Sequence, residues 1–232
     1  MMVNLSTATA ITLVRKNLDE AGLNESVMYG DENNDNLSLD DIVKKNLPEA
    51  INAVHLYAPV SLLEGELYQF KSSGSRPTGE TIGITSDGVL SFSPSSDSDF
   101  LRLVAFQAVD SPIVITDVLK EASPEGRKQL NSYIRGRYDR PRLVRLQGKT
   151  TPPKFNYYTL REETVAAISN PASAVASFIF VKEQFYSASA TEYKISRLLR
   201  QNIIDWLTGM VMETYSNQSA QSFYARAKAY AE

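Results

Sequence analysis

Cysteine is absent from the 232 residues, so no disulfide framework, thiolate metal site or cysteine nucleophile can form, and the chain carries no trace of a redox compartment. Histidine occurs once, at His55, which excludes a His–His metal motif and any multi-histidine site. Glycine and proline, at 11 and 10 residues, are at ordinary levels and argue against collagen-like or Pro/Gly-rich disordered classes. No apolar run approaches the roughly 18–20 residues that cross a bilayer. The opening MMVNLSTATAITLV has no basic residue ahead of its apolar stretch, because Arg15 and Lys16 follow it. It reads poorly as a secretory signal, and synthesis and retention or assembly in a cytoplasm are expected. Also missing are the phosphate-loop, dinucleotide-binding and nucleophile-elbow glycine motifs.

What is present is a chain 43 % hydrophobic, long enough to bury a sizeable core as one large domain or two modest ones. The net charge of −3 is too small a bias for a dedicated nucleic-acid binder. Its distribution says more. Between Asn17 and Val43 stand Asp19, Glu20, Glu25, Asp31, Glu32, Asp35, Asp40 and Asp41 with no base. Between Arg127 and Lys154 stand Arg127, Lys128, Arg135, Arg137, Arg140, Arg142, Arg145, Lys149 and Lys154 against the single acid Asp139. Opposite charge at separate places lets a molecule pack against copies of itself; solvated surface is the other reading.

The hydrophobic periodicity runs helices, strands, helices. Ala10, Leu13, Val14, Leu18 and Ala21 predict an amphipathic helix over Thr7–Ala21, with Gly22 as its cap and a polar loop from Asn24 to Asn36. Ser38 followed by Asp41 resembles a capping box opening a second helix, whose buried face is Ile42, Val43, Leu47, Ala50, Ile51 and Val54. Pro48 is expected to bend or split it, and Tyr57-Ala58-Pro59 to close it. Strands follow at Glu66–Lys71, Thr81–Thr85, Val89–Ser93, Phe100–Ala108, Ile113–Ile115, Leu143–Leu146, Phe155–Leu160 and Ala176–Val181, with a hairpin signal at Ser86-Asp87-Gly88. Ser123 and Pro124 mark a short helix. A wide apolar stripe of Ile195, Leu198, Leu199, Ile203, Trp206, Leu207, Met210, Val211 and Tyr215 marks the last long helix, followed by a short one bearing Phe223, Tyr224, Ala227 and Tyr230 on one side. The fold class expected is α+β: a helical bundle from residues 1–65 and 186–232, with a β-rich insert over 66–185.

Chemistry is hard to find. No Ser/His/Asp pattern of known spacing surrounds His55. The neighbouring carboxylates Asp40–Asp41 and Glu162–Glu163 point away from each other on a helix. Asp31-x-Asn33-x-Asp35 lacks the glycine and glutamate that a calcium loop requires at its sixth and twelfth positions. Tyrosines near the Arg135–Lys154 segment suit a single-strand surface, but such arginines more often support loops or meet acidic partner surfaces. No enzyme, cofactor or metal is expected.

Three stretches together resemble the tail tubular protein A and head–tail connector family of short-tailed phages. They are Leu39–Pro59 (LDDIVKKNLPEAINAVHLYAP); the span Asp99–Leu146, with DFLRLVAFQA and SPIVITDVLKEASPEGRKQLNSYIRGRYDRPRLVRL; and Asp205–Glu232 (DWLTGMVMETYSNQSAQSFYARAKAYAE). The polar Asn24–Asn36 loop, Pro152-Pro153 and Ala188–Ala190 depart from that pattern in a way similar to ring proteins of crAss-like phages, which infect gut bacteria.

The resemblance implies a mechanical role in the virion, at the head–tail interface. About a dozen copies would form a ring beneath the portal protein, extend the channel through which DNA passes without sequence-specific binding, and offer a platform to the next tail or ring protein, with no membrane and no cofactor. Candidate subunit contacts are Arg135, Arg137, Arg140 and Arg142 on one copy and Asp31, Asp35, Asp40 and Asp41 on the next; the arginines equally suit structuring their own turn. Candidate portal contacts are Phe223, Tyr224, Arg226 and Tyr230, whose aromatics equally suit docking on the chain's own core. The rival readings are a virion-associated polysaccharide hydrolase, which needs two carboxylates about 5–10 Å apart across a cleft, and a non-viral binding module.

Overall fold

The computed structural model describes residues 2–20, 38–71, 81–84, 89–93, 99–109, 112–131, 141–146, 155–158, 175–187, 190–214 and 219–229. In chain order these form β1 (Met2–Ser6), α1 (Thr7–Glu20), α2 (Leu39–Tyr57), 3-10 turns at Val60–Leu62 and Glu64–Glu66, and β2 (Leu67–Lys71). Next come β3 (Thr81–Ile84), β4 (Val89–Ser93), β5 (Asp99–Ala108), β6 (Val118–Lys120), α3 (Pro124–Lys128), β7 (Arg142–Arg145) and β8 (Phe155–Tyr158). The chain closes with β9 (Val175–Glu183), β10 (Glu192–Ser196), a 3-10 turn at Arg197–Leu199, α4 (Arg200–Thr214) and α5 (Ala220–Ala229). The architecture is mixed α+β, and it divides into two compact units: Met1–Glu66 with Gln184–Glu232, and Leu67–Glu183.

In the helical unit, N-terminal α1 and α2 pack with C-terminal α4 and α5. Asn202, Ile203, Ile204, Asp205, Leu207, Thr208, Gly209, Val211 and Met212 of α4 are all buried, so α4 is covered on most sides. Ser38 opens α2 as a cap: its Oγ accepts from the Asp41 N–H at 3.2 Å and donates to Asp41 Oδ2 at 2.7 Å. Pro48 does not split α2, which runs through it to Tyr57 as one helix. A proline inside a helix costs about 3 kcal/mol or more. Leu47, Ala50 and Ile51 beside it are fully buried, and burial of a large aliphatic side chain contributes about 1.5–3 kcal/mol. Packing on both sides of the proline therefore outweighs the lost hydrogen bond.

Two strands in this unit were not expected. β1 pairs antiparallel with β10, Met2 opposite Ser196 and Ser6 opposite Glu192. The stripe assigned to one long helix therefore begins in a strand: Tyr193 and Ile195 are buried in alternation with exposed Glu192 and Lys194. Leu198, counted among the apolar face, is instead 71 % exposed in the turn before α4.

The second unit contains a three-stranded antiparallel sheet, β2-β9-β5, and a five-stranded sheet, β3-β4-β8-β7-β6. The latter is antiparallel except where β6 runs parallel to β7. Its core is aromatic, with Phe106, Phe155, Phe178 and Phe180 fully buried and Phe100 packed edge-on against Phe155 at 5.0 Å. On β5 the buried residues fall at Phe100, Leu103, Phe106 and Ala108 rather than at every second position. Register shifts after Phe100, Leu103 and Gln107 explain the spacing, because each extra residue resets which side chains face inward. The strand expected at Ile113–Ile115 reduces to one bridge, Ile115 to Phe106, while the unexpected β6 forms three residues later.

Candidate interface surfaces

The path of the chain through the helical unit creates the first polar feature. The chain leaves this unit after Glu66 and returns at Gln184. Asn52 of α2 meets the returning backbone with both ends of its amide: Nδ2 donates to the Gln184 carbonyl at 2.8 Å and Oδ1 accepts the Gln184 N–H at 2.7 Å. The Gln184 side chain then donates to Glu66 Oε2 at 3.0 Å, which joins the departing and returning segments. Two polar groups of one backbone residue are satisfied by one side chain, so the return point is set by α2.

The second feature is the docking of α5. Asp205 on α4 is 1 % exposed and accepts from Gln201 Nε2 at 3.0 Å, Asn17 Nδ2 at 3.3 Å and Arg226 Nη2 at 3.3 Å, so α1, α4 and α5 converge on one carboxylate. Burial raises its pKa above the ordinary value, against the lowering effects of Gln201, Arg226 and Asn17. Asn17 also donates to Thr208 Oγ1 at 3.1 Å, and buried Asn202 donates to the Ala227 carbonyl at 2.9 Å.

An aromatic row flanks this contact. Tyr57 lies 6.1 Å from Trp206, and Trp206 lies 5.0 Å from Tyr224. Lys228 places its ammonium 5.4 Å above Tyr57 and 5.7 Å above Trp206. The Tyr224 hydroxyl donates to Glu213 Oε2 at 2.6 Å, and desolvation first, then the carboxylates of Glu213 and Glu49, push its pKa up.

The residues proposed for interfaces are distributed as follows. Phe223 is buried at 6 % exposure, with the Arg226 guanidinium 5.0 Å from its ring. Tyr224 and Arg226 are engaged as above, so these three residues dock α5 onto its own unit. Asp40 pairs with Arg15 at 3.0 Å, and Asp41 serves the Ser38 cap and approaches Lys44 at 3.7 Å. Both pairs are solvent-exposed, so each contributes at most about 1 kcal/mol. Arg142 is exposed on β7, and Arg145 rests 5.5 Å above Phe100. Asp31, Asp35, Arg135, Arg137, Arg140 and Tyr230 lie outside the described residues.

No family model, curated protein or solved structure matches the chain. Among the described residues no three His, Cys, Asp or Glu side chains are grouped to hold a metal ion, and no helix is long and apolar enough to cross a membrane. His55 is fully buried in α2. The exposed large apolar side chains include Leu130 at 72 %, Leu198 and Val109 at 58 %, and of these Leu198 is the one expected on an apolar helix face. For Leu198 the available signal was the two-residue alternation from Glu192 to Ile195, which marks a strand and moves the helix start past it.

Proposed function

We propose that the chain is a structural, non-enzymatic ring subunit: a head–tail adaptor that sits between portal and tail of a short-tailed phage and extends the DNA channel. The reading rests on the three stretches that resemble the connector family. One observation of the fold supports it most: a helical unit assembled from both chain segments, with the intervening β-rich segment leaving and returning at the joined Glu66 and Gln184. A unit of that kind holds its own core, so the β-rich segment is available for contacts between copies or with tail proteins. The partners are further copies of the same chain, the portal protein and the next tail component, with DNA passing unread. Arg135, Arg137, Arg140 and Arg142 remain the candidates for meeting acidic surface on the adjacent copy.

The experiment is electron microscopy of the virion neck, or of the chain mixed with the portal protein of the same phage. About a dozen copies in a ring on the portal axis are expected. Density off the axis, or none in the particle, would discard the adaptor reading.

A further inference from the structure

Helix α4 carries its charges against its own dipole. An α-helix favours acids in its first turn and bases in its last. Here the first turn has no acid and begins with Arg200, and the last turn has no base and holds Glu213. Arg197 lies just before the first turn, and Arg197, Leu198 and Arg200 are all exposed. Neither arginine makes an ion pair among the described residues. Between them Leu198 stands 71 % exposed. Tyr57, near the end of α2, meets Trp206, whereas Glu49, two turns earlier, acts with Glu213 on the Tyr224 hydroxyl. Glu213 accepts from that hydroxyl at 2.6 Å in the last turn of α4, and both carboxylates stand on exposed residues. Arg200 and Glu213 are separated by about 20 Å along the axis at 1.5 Å per residue.

Resting on the ring-subunit reading, we propose that the Arg197–Leu198–Arg200 knuckle of one copy docks on the acidic far end of α4, at Glu213 and Glu49, on a second copy of this chain. A charge arrangement that opposes the helix dipole gains its return when the basic end of one α4 meets the acidic end of another. The occupant is a second copy because one chain displays both complementary surfaces. The two surfaces differ and lie apart, so the contact is heterologous and head-to-tail. Repeated, it closes into a ring when the rotation per subunit closes. The arginines set the orientation, and Leu198, 71 % exposed, loses water contact when the surfaces meet.

The test uses the full chain and three variants in sedimentation at rising concentration, up to the solubility limit. Reversing the knuckle with Arg197→Glu and Arg200→Glu, or the acidic surface with Glu49→Lys and Glu213→Lys, is expected to weaken self-association at least about tenfold, since like charges then face each other. Mixing the two reversed proteins, or combining all four changes in one chain, is expected to restore it. That recovery also excludes misfolding as the cause of the loss. A wild-type chain that stays monomeric, a reversed variant that associates like wild type, or a mixture that stays apart would each overturn the contact. Imaging of the neck judges the adaptor reading separately: a ring there combined with indifferent variants removes this contact alone.

Discussion

The Arg226 guanidinium lies 3.3 Å from Asp205, an ion pair in which the acid is 1 % exposed and the base 54 %. It ties α5 to the centre of the helical unit, and the asymmetry in exposure decides what happens when the acid is altered. Burial is the larger influence on Asp205 and raises its pKa. The folded chain therefore holds this proton more tightly than the unfolded chain does. The associated stability is fully present below the ordinary value of 3.8 and is lost as pH rises through the raised folded value. Asp205→Asn abolishes that titration and leaves Arg226 solvated. At neutral pH the variant is expected to match wild type within about 1 kcal/mol. As pH falls toward 4, the difference in denaturation free energy is expected to move in the wild type's favour. A pH-independent difference would show that Asp205 does not titrate as its burial implies.

Gly209 permits the approach of α5, because a Cβ there would stand 2.7 Å from Tyr224 Cε1. Gly209→Ala is expected to displace the tyrosine ring and to destabilise by about 1–3 kcal/mol, the usual range for overpacking. Trp206 is the sole tryptophan and lies 5.0 Å from that ring, so its emission reports the displacement. Unchanged fluorescence together with unchanged stability would refute the role given to Gly209.

Asn52→Ala removes both hydrogen bonds to the Gln184 backbone. Both bonds are only part-buried, so a cost of about 0.5–1.5 kcal/mol is expected, the usual net contribution of a hydrogen bond. Faster hydrogen exchange at the Gln184 amide is the direct readout, and an exchange rate equal to wild type would contradict the assignment.

Phe178 is fully buried among Phe100, Phe106, Phe155 and Phe180. Phe178→Ala is expected to destabilise the β-rich unit by about 3–5 kcal/mol. Chemical denaturation followed by near-ultraviolet dichroism would record it; a loss under about 1 kcal/mol would mean the cluster repacks far more freely than cores normally do.

Charge reversal at Arg137 and Arg140 addresses the ring contacts proposed from the sequence. Both changed to Glu are expected to reduce ring formation on the portal, read by light scattering, and undiminished assembly would remove these arginines from the interface. Truncation at Ser219 is a poor probe of portal contact, because it also strips Ala220, Phe223 and Ala227 from the buried core.

Elements whose signals are local were legible in the sequence. Ser38 ahead of Asp41, Ser123 ahead of Pro124, the three-to-four spacing over Thr7–Glu20 and the aromatic density of β5 and β9 each depend on residues only a few positions apart. The caps formed where the side-chain chemistry placed them. Non-local features were not legible. Pairing of β1 with β10 joins residues almost two hundred positions apart, and no local signal tells one strand which distant strand it meets. Continuity through Pro48 depends on neighbours that bury both of its flanks. The fate of α5 was likewise undecided: Phe223 suits a partner's pocket or the chain's own core equally well by composition. Only the position of Asp205 opposite Arg226, and of Gly209 beneath Tyr224, decided for the core. The sequence by itself determined the helix caps and the segments with a strong local period, because propensity, capping and periodicity act over one or two turns. The tertiary structure alone decided which distant strands pair and that α5 turns Phe223 onto its own unit, because such contacts are set by what arrives from distant parts of the chain.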